Sequence, residues 1–412
     1  MRYSYYILKV LGVVALIMAA SSCVKSDVEY ETSGRDISIA PVTSAATKSI
    51  PGAITGTTYP QGETMGVFAY HHNTLPGNEW PYLDPEKDLA MQGVTVHSEM
   101  NPWEFGYKAH YGAWGGVKSK IVKGDDGKQT LEFEDSSREW PDEGSLIFAG
   151  FSPYYKYDWR HSEVYVPVKD KVAFDVSTRT LTVTNYSVGQ YIPMTAEQIK
   201  NPDIEYVNTS QSDAMFFIPQ VKDGSYVGVN KLSAYPARFY HALSLVEFKV
   251  RAEDEYAMDR IDIDRITLEQ VYHTGDFTAK VEDDGSVTAW WELYEGEGYS
   301  EDVNIFGDED PSTEYEDLYL DMQLRSVAQL LIIPGPTHRI KVVCHVYIQG
   351  REFEQTYIIR PDEVGIDKWE VGKRYVYNLN LGINRITFSP ETYEWNDLDG
   401  GGIATQQTNG NQ

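Results

Sequence analysis

Runs of alternating apolar and polar residues recur along the chain and predict β-strands. The clearest pair runs from Ile340 to Ile348 and from Arg351 to Ile359, separated by Gln349-Gly350. Alternation places every second side chain on one face of a strand, and a two-residue turn with glycine joins antiparallel neighbours. A further run from Tyr375 to Leu381 has a large apolar or aromatic residue at every second position. Antiparallel series of this kind predict an all-β fold built from sandwiches.

Short turn signals separate the predicted strands. Dipeptides that favour hairpin turns are Asp126-Gly127, Asp223-Gly224, Asp284-Gly285 and Gln349-Gly350. Between residues 261 and 268 the apolar positions change parity, from Ile261 and Ile263 to Ile266 and Leu268. Such a change would turn half of the strand away from the core, so the pattern predicts a bulge or bend near Arg265.

The length and the net charge of the chain limit its number of domains and its classes of partner. The chain has 412 residues, with 35 lysines and arginines against 62 aspartates and glutamates, and its net charge is -27. This length fits about two domains of ordinary size. We place their boundary near Pro236, which gives domains 36–236 and 237–396 and a flexible tail, 397–412. The negative charge would repel a phosphate backbone, so we expect no nucleic-acid partner.

The N-terminus has the layout of an exported lipoprotein. A basic start precedes an apolar run that ends in Ser21-Ser22-Cys23. This layout predicts a secretory signal peptide, residues 1–22, whose apolar run is too short for a stable membrane anchor. A cysteine after small residues resembles a bacterial lipobox, so we predict lipidation of Cys23 and a polar tether over residues 23–35. Ordinary signal cleavage near Ala20 is the alternative.

A series of short segments lies in order between residues 36 and 396. The first half contains Met65-Gly66-Val67-Phe68-Ala69-Tyr70, Trp140-Pro141, Leu146-Ile147-Phe148-Ala149-Gly150-Phe151-Ser152-Pro153 and Ser212-Asp213-Ala214-Met215. The second half contains Phe239-Tyr240-His241-Ala242-Leu243-Ser244, Thr274-Gly275-Asp276-Phe277, Leu331-Ile332-Ile333-Pro334, Trp369-Glu370-Val371-Gly372-Lys373-Arg374-Tyr375-Val376-Tyr377, Ile386-Thr387-Phe388 and Trp395. Together these segments resemble the fimbrillin family of type V pili.

The resemblance implies a fold, a location and partners. The fold is two tandem transthyretin-like β-sandwich domains after a lipoprotein signal peptide. The location is the outer membrane or a cell-surface fimbria, reached through a lipid anchor. The partners are other fimbrial subunits, joined by β-strand exchange, and host or bacterial surface ligands in adhesion. A sandwich that lacks an edge strand exposes backbone groups and an apolar groove, which a strand of another chain can fill.

The candidate exchanged strand lies within residues 36–48. Ile37 and Ile39 share one face of it, and Val42 completes its apolar set. Alternation alone does not distinguish a removable strand from a permanent first strand. Both readings therefore stay open at this point.

Processing and donation of a strand are the remaining steps that the resemblance implies. Cleavage after Lys48 would release the candidate strand, whereas cleavage after Arg35 would leave it attached. Because the family commonly cuts after arginine, an uncut tip or anchor subunit is an alternative to a stalk subunit. The candidate donor strand contains Ile386, Phe388 and Trp395.

Signals for catalysis or metal binding are weak. The sequence contains no G-x-S-x-G, P-loop, G-x-G-x-x-G or H-E-x-x-H motif. The acidic stretch from Asp308 to Asp317 lacks the ligand spacing of an EF-hand, and we interpret Asp262 and Asp264 as surface charge on a strand. Cys344 alternates with apolar residues, which predicts a buried thiol. We therefore predict that the protein is not an enzyme and that it binds neither a metal nor a cofactor.

Aromatic residues provide the main rival interpretation, a lipid-anchored glycan-binding surface protein. The stretch from Tyr154 to Trp159, and the pair Trp290 and Trp291, could stack on sugar rings. Adjacent strand residues point to opposite faces, so we expect one of the two tryptophans to lie in the core. A hydrolase without a recognised motif is a third and weaker hypothesis.

Overall fold

The computed structural model describes residues 37–42, 64–72, 89–91, 117–133, 140, 145–158, 164–167, 172–189, 191–200, 211–229, 232, 234–258, 260–294, 300–307 and 318–395. The predicted signal peptide, tether and tail lie outside these residues. No helix in the described part is long and apolar enough to cross a membrane.

The described part is built almost entirely of strands, which confirms the predicted all-β class. The strands are β1 (Ile39–Val42), β2 (Thr64–His72), β3 (Leu89–Met91), β4 (Val117–Lys123), β5 (Gln129–Phe133), β6 (Ser145–Ser152), β7 (Tyr155–Asp158), β8 (Val164–Pro167), β9 (Val172–Asp175), β10 (Thr180–Ser187), β11 (Met215–Phe217), β12 (Val221–Lys222), β13 (Ser225–Tyr226), β14 (Tyr235–Arg238), β15 (Tyr240–His241), β16 (Ser244–Ala252), β17 (Ile261–Tyr272), β18 (Thr274–Val281), β19 (Val287–Leu293), β20 (Ser300–Phe306), β21 (Leu318–Tyr319), β22 (Arg325–Ile332), β23 (Ile340–Ile348), β24 (Arg351–Ile359), β25 (Lys373–Gly382) and β26 (Arg385–Glu394). A short α-helix, α1, spans Ala196–Lys200, and a 3-10 helix spans Pro361–Val364.

Two sheets pack face to face in the first sandwich. One has seven strands in the order β15-β11-β6-β2-β4-β5, with β3 beside β2, and the other has the order β19-β18-β10-β9. Side chains from both sheets, such as Phe68 and Ile147 from one and Leu181 and Phe277 from the other, form the first core. Burial of such large apolar side chains is the main term that stabilises a sandwich.

The seven-stranded sheet is also covered on its other face. The strands β1 and β14 pair in parallel as a two-stranded ribbon. Their side chains join those of the opposite parity on β2 and β6, including Val67 and Phe148, in a cluster that we call the ribbon core. The sheet is therefore apolar on both faces, because residues of both parities are buried.

The C-terminal sandwich has one sheet in the order β22-β16-β25-β26 and another in the order β20-β17-β23-β24, with β21 beside β17. Inward side chains such as Phe248, Val342 and Tyr377 form the C-terminal core. Within these sheets β16 and β25 run parallel, whereas β23 and β24 form an antiparallel hairpin. The strands β20, β22, β24 and β26 lie at the sheet edges.

All four predicted hairpin turns are confirmed by antiparallel strand pairs on either side. In two of them both turn residues have positive φ, 50° and 75° at Asp223 and Gly224, and 52° and 75° at Gln349 and Gly350. That backbone matches the twist of two-residue hairpins and is easiest for glycine. The predicted bulge is also confirmed, because the pairing of β17 with β23 shifts register between Ile263 and Arg265.

The sheets do not divide at Pro236. That residue lies inside β14, which covers the first sandwich. The later hairpin of β18 and β19 also pairs with β10, so a segment beyond residue 236 completes a sheet of the first sandwich. As a limit between independently folding domains, the boundary at 236 stays a prediction.

A charged network crosses the outer face of the β22-β16-β25-β26 sheet. Glu247, 2% exposed, accepts hydrogen bonds from Arg374 at 2.6 Å and from Gln329 at 3.2 Å, and Lys249 lies 3.5 Å away. Burial alone would raise the pKa of Glu247, but the hydrogen bond from Arg374 and the charge of Lys249 outweigh it. The pKa of this carboxyl therefore lies below its usual range.

Replacing Glu247 by Gln should lower the free energy of unfolding at pH 7 by about 2–3 kcal/mol, because Arg374 loses its charged partner. A folded pKa below the unfolded value stabilises the fold above the unfolded pKa, about 4.3 for glutamate, and this contribution is lost as the pH falls through the folded pKa. The difference in free energy of unfolding between wild type and variant, measured with urea, should therefore be smaller at acidic pH. Glu255→Gln, at an exposed turn residue, is the matched control; an equal difference at all pH values would contradict the assignment.

Candidate functional site

The candidate exchanged strand occupies the ribbon. Ile37 and Ile39 are 6% and 0% exposed, whereas Val42 is 37% exposed. The backbone N–H of Tyr235 donates to the carbonyl of Ser38 at 2.7 Å, and the N–H of Phe239 donates to the carbonyl of Val42 at 2.8 Å. The strand is thus held by parallel backbone pairing to β14 and by two buried isoleucines.

The ribbon covers an aromatic layer. The rings of Phe148 and Tyr235 lie 4.8 Å apart, and those of Phe217 and Phe239 also lie 4.8 Å apart. Burying two isoleucine side chains contributes about 3–6 kcal/mol. Loss of β1 would therefore expose an apolar groove together with the unpaired backbone edge of β14, and both can be satisfied by another extended segment.

The residues that the sequence predicts to control processing lie outside the described part. Cys23, Arg35 and Lys48 belong to this group. Their roles in lipidation and cleavage therefore stay predictions.

The candidate donor strand is β26, an edge strand of the C-terminal sandwich. Ile386 and Phe388 are half-buried and pack against the C-terminal core, where the rings of Phe388 and Tyr377 lie 5.2 Å apart. Most other side chains of β26 are exposed. The strand therefore presents one apolar face to its own sandwich and one polar face to solvent.

Trp395, directly after β26, belongs to a different core from Ile386 and Phe388. It is 2% exposed and lies in the first core. Its ring stacks on His241, with ring centroids 3.6 Å apart and planes 12° apart. His241 also contacts Asp213, whose carboxylate lies 2.9 Å from Nδ1 of the imidazole. The side chains of Asp213 and His241 are both fully buried.

The contacts of Trp395 fix the end of the C-terminal strand to the first sandwich. The backbone N–H of Trp395 also donates to the carbonyl of Gly372 at 2.8 Å. The family resemblance includes the sequence segments that contain Asp213, His241 and Trp395. It does not predict that these three residues contact one another. Three positions so far apart in the chain carry no local pattern that indicates contact.

The acidic and thiol candidates that lie within the described residues are Asp262, Asp264 and Cys344. No group of three or more His, Cys, Asp or Glu side chains there could hold a metal ion. Asp262 is 3% exposed, so its interpretation as surface charge was wrong; β21 and β23 flank it on either side. Cys344 is buried as predicted, and burial raises the pKa of its thiol, which disfavours the reactive thiolate. The acidic stretch 308–317 lies outside the described residues.

Three aromatic residues of the rival interpretation, Tyr154, Trp290 and Trp291, have described side chains. Trp291 packs against the first core and its indole N–H donates to the carbonyl of Ala242 at 2.7 Å, whereas Trp290 is 40% exposed. This confirms the prediction that one of the pair faces the core. Tyr154 is buried at 4% exposure, and Trp159 lies outside the described residues.

Comparison with known protein families gives one match of high coverage. Residues 112–395 match the family model described as fimbrillin-like. Comparison with curated proteins finds no match.

Several solved structures are similar to this chain. A fimbrial protein from Bacteroides vulgatus is 14% identical, with 80% of this chain and 92% of that chain covered and a TM-score of 0.43. A cell adhesion candidate from Bacteroides uniformis is 12% identical, with 88% and 100% covered and a TM-score of 0.42. The tip fimbrial protein Mfa3 from Porphyromonas gingivalis, with a C-terminal truncation, is 6% identical, with 87% and 100% covered and a TM-score of 0.33.

Replacing Trp395 by Ala should lower the free energy of unfolding by about 3–5 kcal/mol, because a large buried ring and its stack on His241 are lost. Urea unfolding followed by circular dichroism measures the change. Tyr393→Ala, two residues earlier and 47% exposed, is the matched control and should change stability by about 0.5 kcal/mol or less. Equal effects of the two substitutions would show that Trp395 is not fixed in the first core.

Proposed function

Because this chain belongs to the fimbrillin-like family, we propose that it is a structural subunit of a cell-surface fimbria and joins its neighbours by β-strand exchange. The family supports a role among fimbrial subunits at the cell surface. Strand exchange is the step for which the geometry of this chain offers a physical basis.

The observation that carries the proposal is the construction of the ribbon. Strand β1 pairs with β14 alone among the described strands, yet Ile37 and Ile39 fill the ribbon core. Removal of β1 would leave one backbone edge and two apolar positions open. An extended segment of a second copy can fill the same three features without any chemical step.

The proposed donor is the strand that contains Ile386, Phe388 and Trp395. Ile386 and Phe388 are two residues apart, as are Ile37 and Ile39, so a donor can present the same spacing to the groove. In the closed subunit this strand is paired with β25 and held by buried Trp395. Donation therefore requires Trp395 to leave His241, which makes the closed form a stable state before assembly.

Export as a lipoprotein completes the proposal. Acylated Cys23 would hold the subunit at the outer membrane, and cleavage after Lys48 would separate the folded body from both the anchor and β1. Cleavage after Arg35 would retain β1 and give a subunit that cannot accept a donor, as expected of a tip or an anchor. The proposed role is structural and adhesive, without catalysis or a cofactor.

Lys-specific proteolysis of the purified chain should produce a protein that begins at Ser49 and assembles into ladders on gels without heating. We expect assembly because the loss of Ile37 and Ile39 opens the apolar groove. Intact mass gives the new N-terminus, and size-exclusion chromatography at several concentrations gives the assembly state. Lys48→Ala should stay monomeric under the same treatment, whereas Arg35→Ala should still assemble; a protein that begins at Ser49 and stays monomeric would contradict strand exchange.

Replacing Phe388 by Asp should abolish donation while acceptance is retained, because a carboxylate in the apolar groove is strongly unfavourable. Processed Phe388→Asp protein should not ladder alone, yet it should bind one end of wild-type polymers and shorten them in a mixture. Ser389→Asp, at an exposed neighbour, is the control and should polymerise. If the Phe388→Asp protein polymerises as wild type does, the donor strand must be another segment of the chain.

A further inference from the structure

An amine, an amide and a carboxylate lie on neighbouring strands of the outer face of the C-terminal sandwich. Lys249 on β16 is directly opposite Asn378 on the parallel strand β25. On the other side of β25, Glu391 of β26 lies opposite Val376, two residues before Asn378. All four residues face away from the C-terminal core, whose members occupy the alternate positions of β16 and β25. The three polar groups therefore share one small area of the sheet.

The amide of Asn378 is buried and is held from one side. The residue is 9% exposed, and its Nδ2 donates to Oε1 of Glu391 at 2.8 Å. No described residue donates a hydrogen bond to its carbonyl oxygen, Oδ1. A buried amide with an unsatisfied carbonyl is uncommon in folded proteins and calls for an explanation. We therefore looked for a reactive group on β16, the strand on the other side of β25.

Lys249 supplies a primary amine there. Its Nζ lies 3.5 Å from Oε1 of Glu247, two residues earlier on the same face. Glu247 is itself fixed by Arg374 at 2.6 Å, so it holds the lysine side chain along the sheet. Val376, 2% exposed, lies between Glu247 and Glu391 and forms an apolar floor. Neighbouring strands are about 5 Å apart, which is within the reach of the flexible four-carbon lysine side chain.

We propose that Nζ of Lys249 and Cγ of Asn378 form an isopeptide bond, which joins β16 to β25 covalently. Lys249 first loses a proton to solvent, and its neutral amine attacks the amide carbon, so that the Nζ–Cγ bond forms. Both nitrogens are then bonded to one carbon, and Glu391, beside Nδ2, carries a proton from Nζ to Nδ2. The Cγ–Nδ2 bond breaks, and ammonia leaves and takes up a proton as ammonium. The step needs no oxidant, metal or cofactor.

The bond closes a loop of the chain from residue 249 to residue 378. This loop contains every strand from β17 to β24. Separation of β16 from β25 then requires a covalent bond to break, in addition to the backbone hydrogen bonds of the parallel pair. Strand β26 is not part of the bond, so the inference does not depend on strand exchange.

Trypsin digestion and tandem mass spectrometry of the purified full chain test for the bond. Trypsin does not cut after a lysine whose Nζ is acylated. Peptide 239–251 should therefore be recovered joined to peptide 375–385, with a mass lower than their sum by one ammonia. Without the bond, trypsin cuts after Lys249, and peptides 239–249 and 375–385 appear separately.

Three variants separate the chemistry from effects on folding. Lys249→Arg keeps the positive charge beside Glu247 and should abolish the joined product, because a guanidinium that stays protonated is not a nucleophile. Glu391→Gln should slow formation of the bond about a hundredfold or more, followed by intact mass after cell-free synthesis. Asn380→Asp, at the next outward position of β25, is the matched control and should leave the joined product unchanged. Circular dichroism checks that each variant is folded.

Recovery of only separate peptides from the wild-type chain would overturn the proposal. So would a joined product that persists in Lys249→Arg, since another lysine would then form the bond. An unchanged rate in Glu391→Gln would remove the proton transfer from Glu391. Polymerisation of the processed Lys249→Arg protein reports separately on the proposed fimbrial role.

Discussion

The two-sided burial of the seven-stranded sheet is the constraint on which the rest of the first sandwich depends. A sheet with apolar residues of both parities must be covered on both faces. Strands β9, β10, β18 and β19 cover one face, and the ribbon of β1 and β14 covers the other. The second cover is short, and half of it is β1, the first described strand. A large apolar surface of the sheet is therefore covered by only two short strands.

Open sheet edges leave gaps on the sides of the C-terminal sandwich. A sandwich has two sides on which its edge strands leave a gap. In the C-terminal sandwich, Tyr191, Ala196 and Ile199 fill the gap between β20 and β22. On the side of β24 and β26, Phe353 lies opposite Val346 on the inward face and is still 46% exposed. The candidate donor strand β26 thus borders a side of the sandwich that is incompletely closed.

The two sandwiches are tied together by segments that cross between them. The hairpin of β18 and β19 completes a sheet of the first sandwich before the chain returns to β20. Trp395 returns from the C-terminal sandwich to the first core, where the buried pair of His241 and Asp213 supports its ring. A buried polar pair is stable only when its members satisfy each other, so this contact is demanding in geometry. The end of β26 is therefore fixed to the first sandwich.

Local pattern in the sequence by itself determined the hairpin of β23 and β24, the strand β25, the four hairpin turns and the bulge at Arg265, because alternation and turn chemistry act between residues that are near in the chain. It also separated Trp290 from Trp291 and placed Cys344 in a core, since strand parity assigns faces. Tertiary structure alone decided that β1 pairs in parallel with β14, that β18 joins β10, that Asp262 is buried and that Trp395 stacks on His241. Alternation is the same for every possible partner strand, so long-range pairing follows only from how the complete set of apolar faces can be buried at once.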